Sequence, residues 1–253
     1  MRRKALAGLG LPLALAFTAG IATPAHAAST TSWQLNEPAG AKTAFSSGVT
    51  GLNGVVGAGI TTGVSSGDRT VYKFTGAGKV AVADSKKNPA INPGARDFEF
   101  SVTFRKSVQA QEANLFQKRL AGTIKDPETG AKVGNGQWKV DTTYGDQYCT
   151  FRGDETTLTG DPSSPDAGGI KVRATLAKDV WYTITCKKTA SAISISIKNE
   201  NSGKVIATRT AAKAVGTLQP NTAPVTLGGK AGDCGTNCDY LQGEIDKASI
   251  TIY

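Results

Sequence analysis

The chain has 253 residues, 29 Lys and Arg against 20 Asp and Glu, and 39% apolar residues, a length and composition suited to one large β domain with a buried core. Its one histidine, His26, falls in what reads as an N-terminal leader. The rest of the chain therefore excludes Ser-His-Asp and Cys-His triads, histidine zinc sites and imidazole general bases, leaving carboxylate, Tyr, Lys or Arg for acid and base chemistry.

The leader has a basic start (Arg2, Arg3, Lys4), an apolar run from about Ala5 to Ala22 and a small-residue cleavage pattern, Ala25-His26-Ala27. It predicts a secretory signal peptide over 1–27 and a secreted, extracellular product over 28–253. The residues after the twin arginine fit the Tat motif poorly, so Sec export is favoured. No cysteine follows the apolar run as a lipoprotein anchor would need, and no membrane insertion is expected of the mature form. Loss of the leader takes three basic residues and leaves 26 against 20, a net charge of +6. Beyond it no Lys or Arg run exceeds two residues (Lys86-Lys87, Lys187-Lys188), so ordinary solubility is favoured over acidic surface polymers as its meaning, and no nucleic-acid partner is expected.

Ala28 to Ser32 reads as a short polar tail, and Trp33 to Asn36 as the opening strand. Glycines at 40, 48, 51, 54, 57, 59, 63 and 67 make the next region turns and short strands rather than helix. Val71–Phe74 and Val80–Val82 read as two strands around Gly76-Ala77-Gly78. Phe98–Phe104 alternates cleanly, with Phe98, Phe100, Val102 and Phe104 on one face. Asn114–Lys118 and Gln137–Asp141 follow, separated by a loop containing Asp126–Gly130, and Tyr148–Phe151 is an aromatic-rich strand. The Gly, Pro, Ser and Asp of Asp154–Gly169 predict a long surface loop. Trp181–Lys187 and Ala192–Lys198 are strands, and the turn Asn199–Gly203 joins the second to Lys204–Thr208 as a hairpin. After Val225–Gly228 and a cysteine loop comes the terminal strand, with Ile245, Ala248, Ile250 and Ile252 on one side and Lys247, Ser249 and Thr251 on the other. Roughly a dozen short strands without a helix predict an all-β, two-sheet antiparallel sandwich that closes by pairing its last strand with its first.

Four cysteines in an exported chain read as two disulfides, with three connectivities. The pairing chosen is Cys149 with Cys186, which joins two strands far apart in sequence, and Cys234 with Cys238, which closes a short loop. A metal site is the rival for the second pair and is disfavoured without histidine in an oxidising compartment.

Trp33-Gln34-Leu35-Asn36-Glu37 with Gly40, Asn114–Lys118, Trp181–Cys186 and Gly243-Glu244-Ile245-Asp246 occur in that order across the mature chain. Together they resemble secreted laminin G-like modules of actinobacterial type, in the concanavalin A-like lectin/glucanase superfamily. The resemblance implies a jelly roll of two curved antiparallel sheets with adjacent terminal strands, and a single domain over 28–253. Glucanases of this superfamily carry a Glu-x-Asp-x-x-Glu strand whose carboxylates stand about 5 Å apart. Here Glu244-Ile245-Asp246 begins that pattern, but Ser249 occupies the place of the second Glu. Lyases of the fold need a histidine that the mature chain lacks. The resemblance also implies that Asp246 could ligate a structural calcium, with Asp68 or loop carbonyls supplying further oxygens.

Sugar recognition calls for an exposed aromatic ring together with amides and carboxylates. Trp33 and Trp181 are assigned to the core. Trp138, followed closely by Tyr148 and Arg152, forms one candidate site if adjacent strands present the three together, although core or edge packing is favoured for Trp138. Tyr240 and Asn237 form a second. The function expected is a non-catalytic binding module for a polysaccharide or cell-surface glycan. The alternatives are a polysaccharide hydrolase of the glucanase type, or a structural or protein-binding extracellular domain without a sugar site.

Overall fold

The computed structural model describes residues 27–48, 51–84, 87–119, 136–143, 145–156, 164–231 and 238–253. The predicted leader up to His26 and the Asp126–Gly130 loop lie outside the described residues. The fold is all-β, a two-sheet antiparallel sandwich of jelly-roll type. Besides its strands, the described residues hold one short 3₁₀ turn, Pro165–Ala167, capped by Ser164.

One sheet has nine strands. Its main path runs β15 (Lys204–Ala211), β14 (Ile193–Asn199), β13 (Tyr182–Lys188), β8 (Phe98–Lys106), β17 (Gln242–Ile252), β1 (Ser29–Trp33) and β3 (Ser46–Ser47), while β6 (Arg69–Thr75) adds to β17 and carries β5 (Ile60–Ser66). The other sheet has eight strands: β12 (Gly169–Arg173), β11 (Asp146–Arg152), β10 (Gln137–Thr142), β9 (Ala113–Lys118), β16 (Val225–Leu227), β7 (Val80–Val82), β4 (Gly54–Val56) and β2 (Thr43–Ala44).

The last strand organises the first sheet. β17 pairs along one side with β8, and along the other with β1 near its end and β6 near its start. The predicted closure of last strand on first is therefore present, with Trp33 opposite Ala248. Ile245 and Ala248 are three residues apart, so strict alternation cannot turn both inward. A β-bulge between Ile245 and Lys247 resolves the conflict by making Asp246 the extra residue, and both apolar side chains are buried. Burying a side chain such as Ile250 or Ile252 stabilises the fold by about 1.5–3 kcal/mol each.

One expectation needs correction and two need completing. The opening strand is Ser29–Trp33, not Trp33–Asn36. Leu35 sits at φ 50°, in the left-handed region, which ends the extended chain. The supposed polar tail pairs with β17, turning Thr31 and Trp33 inward while the Thr30 hydroxyl bonds that of Thr251. Secondly, β6 and β7 flank Gly76–Gly78 but belong to different sheets, so that stretch is a crossing between layers. Thirdly, β12 begins at the end of the expected long loop and forms the edge of the eight-stranded sheet.

Between the layers, Phe98 and Phe100 of β8 meet Phe116, Trp138 and Phe151 of the opposing sheet. Trp138 lies 4.6 Å from Phe100 and 5.1 Å from Phe116, centroid to centroid. Such tilted and edge-on contacts add to simple apolar burial. The Cys149–Cys186 disulfide is present as predicted and joins β11 to β13, so it ties one sheet to the other through the core. Cys238 is also disulfide-bonded; its expected partner, Cys234, lies outside the described residues. No helix among the described residues is long and apolar enough to cross a membrane.

Candidate functional site

The residues singled out from the sequence do not form one site. Trp138 is fully buried at the centre of the aromatic cluster and offers no ring to a ligand. The reason is pairing parity: Trp138 lies opposite Phe151, so the inward residues of β10 are even-numbered and those of β11 odd-numbered. Tyr148 and Arg152 consequently project from the outer face, away from Trp138. Arg152 is held there by a hydrogen bond to the Ala167 carbonyl. Burial, and then the charge of Arg119, lower its pKa. Tyr240 is half-buried with Lys79 Nζ 5.6 Å from its ring centroid. Asn237 lies outside the described residues.

The outer face of the nine-stranded sheet carries a different assembly. A strip of hydroxyl pairs crosses it: Thr30 with Thr251, Ser32 with Ser47, Ser101 with Ser249 and Thr103 with Thr183. Alternation explains the strip, because Phe98, Phe100, Val102 and Phe104 turn into the core and leave Glu99, Ser101, Thr103 and Arg105 outside. At the end of the strip stand Arg69, Arg105, Glu244 and Asp246. Arg105 Nε lies 2.8 Å from Glu244 Oε2 and its Nη2 donates to Oε1 at 3.1 Å, a bidentate pair, and Ser66 Oγ also donates to Glu244. Arg69 Nη1 donates to Asp246.

Both guanidiniums lie against Trp181, with Arg69 Cζ 5.2 Å and Arg105 Cζ 5.4 Å from its ring centroid, within cation–π range. Trp181 is buried, as expected, but it stands outside the main apolar cluster and beneath these cations. Two local features make the arrangement. The bulge at Asp246 gives that residue its own place, and Gly243 lets β17 approach β8, since a Cβ there would meet the Arg105 carbonyl oxygen at 2.2 Å.

A cleft of about 490 Å³ opens over this assembly, lined in part by Asp68, Arg69, Arg105, Trp181, Glu200 and Asn201. A smaller one of about 160 Å³, lined by Lys73, Arg105, Asp179 and Glu244 among others, shares Arg105 and Asp179 with it. The opening carries both donors and acceptors. Glu200 accepts from Thr183 and Lys198. Burial works to raise the Glu200 pKa, but those two hydrogen bonds and the charges of Lys198 and Lys247 outweigh it and hold the carboxyl below its ordinary value.

The acidic residues do not fit the calcium that the sequence resemblance implied. A calcium ion takes six to eight oxygen ligands, whereas Asp246 is engaged by a guanidinium, and Asp68, its expected co-ligand, stands 4.0 Å from the same Arg69 with its side chain in solvent. Among the described residues no group of three or more His, Cys, Asp or Glu is placed to hold a metal. A glycosidase general acid must carry a proton to the substrate; Glu244, with both oxygens accepting from Arg105, is arranged as an acceptor instead.

The sequence reading missed Arg69, Arg105 and Glu200. Arg105 was legible as an outward residue, because it follows Phe104 in an alternating strand. Its partner Glu244 was not, since the pair depends on the register of β17 against β8, residues separated by 139 positions.

No protein-family model matches the chain, and no curated protein matches it. Solved structures do. A botulinum neurotoxin type C structure aligns at 15% identity and a TM-score of 0.50, covering 88% of this chain and 47% of that one. A receptor-binding domain gives the same identity and TM-score over 87% and 46%. The sialidase CBM40 of Ruminococcus gnavus aligns at 14% identity and a TM-score of 0.43, over 76% of this chain and 89% of that one. This chain thus spans less than half the length of the first two. At such identities the likeness is one of fold: a β sandwich.

Proposed function

We propose that this chain is a secreted, non-catalytic binding module, a single domain over 28–253, that holds a glycan on the outer face of its nine-stranded sheet. The observation that carries the reading is the open cleft over Trp181, where Arg69, Arg105, Glu200 and Asn201 offer donors and acceptors side by side. Sugar hydroxyls donate and accept at once, and a surface with both kinds of group suits them. The acidic residues of the cleft, with Glu244 and Asp246, at least match its cations in number, which favours a neutral glycan over an anionic one. Carboxylates already bound by guanidiniums support binding rather than bond cleavage.

Cell entry of botulinum neurotoxin type C, which shares the fold, depends on interaction with two ganglioside molecules, a precedent for glycan recognition on such a sandwich. The four sequence pieces quoted above support placing the module among laminin G-like domains, and the leader and disulfides support secretion.

The test is a polysaccharide panel presented to the purified mature protein, with calcium and with chelator, scoring released sugars in the same wells. Retention of a neutral polymer without products, unchanged by chelator, is the expected result. Product release would overturn the non-catalytic reading, silence across the panel would overturn the glycan reading, and loss with chelator would bring calcium back.

A further inference from the structure

A third cleft lies elsewhere on the molecule, where the edge strands of the two sheets meet. It measures about 380 Å³ and is lined by Asp146, Lys171, Arg173 and Arg209, three cations to one carboxylate. Pairing explains how they gather. Arg173 lies opposite Asp146 and Lys171 opposite Tyr148 across β11 and β12, and with Gln147, Cys149 and Ile170 buried inward, those four project from the outer face. Arg209 arrives from β15, the edge of the other sheet, and its Nη1 donates to the Lys171 carbonyl at 3.0 Å.

The carboxylate is already shared. Asp146 Oδ2 lies 3.8 Å from Lys171 Nζ and accepts from Tyr148 Oη, while Lys171 Nζ stands 5.8 Å from the Tyr148 ring centroid. Among the described residues neither Arg173 nor Arg209 has a carboxylate within ion-pair distance, and both are exposed. Their charge is uncompensated, and a guanidinium presents a planar fork of donors that matches oxyanions. One such group, anchored by its bond to a backbone carbonyl, is also oriented. An open cleft at a solvent-exposed edge gives a single small anion few contacts, whereas charges repeated along a chain sum their attractions.

We propose that this cleft is an anion site for an oxyanion-bearing polymer, separate from the neutral-glycan cleft over Trp181. The test uses three immobilised probes: polygalacturonate for carboxylates, polyphosphate for phosphates and dextran as the uncharged control. At low salt the protein should be retained on at least one polyanion and not on dextran through this cleft, and retention should fall as salt rises. The double variant Arg173→Ala/Arg209→Ala should weaken that binding on the order of tenfold or more. Asp146→Asn, which removes the one carboxylate, should tighten it. Glu244→Gln, in the other cleft, should leave it unchanged, so failure here and failure of the neutral-glycan reading are read separately. The stronger of the two polyanions identifies the oxyanion. No retention on either polyanion, or undiminished retention of a folded double variant, overturns the proposal.

Discussion

Opposite charges meet in two contrasting places in this molecule. Lys118, the last residue of β9, and Asp84 form an ion pair at 2.9 Å with side-chain exposures of 0% and 1%. Arg105 and Glu244 form theirs at 2.8 Å with exposures of 30% and 10%. The buried pair is saturated. Lys118 Nζ also donates to the carbonyls of Asn221 and Ala223, and Asp84 also accepts from the Asn88 backbone and the Asn92 amide. Nothing is left over for a ligand, and the network instead pins Asp84, the turn at 88–92 and the connection at 221–223 to the end of a central strand. The open pair keeps its edge toward solvent and a cleft beside it. The same chemistry holds the fold together where water is excluded, and becomes available for recognition where it is not.

The sharpest way to break that comparison is to remove one buried partner. Lys118→Met leaves Asp84 charged in the interior and should destabilise the protein by about 3–5 kcal/mol, read from the urea unfolding midpoint. Adding Asp84→Leu should recover part of the loss by removing the stranded charge, though Asn88 and Asn92 then lose an acceptor. Alkaline pH sharpens the same point. Burial pushes the Lys118 pKa down from 10.5 to about 8, despite the opposing charge and hydrogen bond of Asp84. Between those values the unfolded chain holds more protons than the folded one, so this group's contribution to stability rises with pH, by up to about 1.4 kcal/mol per pH unit. It is complete above 10.5 and lost as pH falls through 8. The stability gap between the wild type and Lys118→Met should therefore widen from pH 8 to 10.5. A constant gap would show that Lys118 does not titrate as its surroundings require.

A somewhat smaller effect belongs to the covalent tie between the sheets. Cys149 and Cys186 close a span of 37 residues, and replacing both with Ala should cost about 2–4 kcal/mol in the same unfolding assay. Glycan retention below the transition should survive, because the disulfide faces the core and not the Trp181 cleft.

Sequence alone disclosed the layers of this protein better than its faces. The all-β sandwich, the Cys149–Cys186 link and the pairing of first and last strands follow from alternation, cysteine placement and the absence of any helical period. What failed were questions of phase. Core packing was favoured for Trp138, and it is buried, but its grouping with Tyr148 and Arg152 in one candidate site was left open, because whether residues on adjacent strands share a face depends on whether their paired numbers add to an odd or an even sum, which no local pattern states. Trp181 illustrates the same limit from the other side. Its hydrophobicity predicts burial, and it is buried, yet what covers it is a pair of guanidiniums delivered by β6 and β8. Asp246 was singled out only through the family resemblance, as a calcium ligand, whereas the break in strict alternation between Ile245 and Ala248, which marks the bulge that places it, went unread.

The smallest stability effect should coincide with a clear functional one at Glu244. An ion pair with one partner 30% exposed contributes little to folding, so Arg105→Ala and Glu244→Gln should each shift unfolding by about 1 kcal/mol or less. Arg105→Ala also uncovers one side of Trp181. Both substitutions remove or redirect hydrogen-bonding groups at the cleft, and each should weaken retention of a neutral polysaccharide about fivefold to tenfold, the cost of one ordinary hydrogen bond. If Glu244→Gln instead unfolds the protein as readily as Lys118→Met does, the open pair is structural after all, and the contrast between the two regions collapses into a difference of exposure alone.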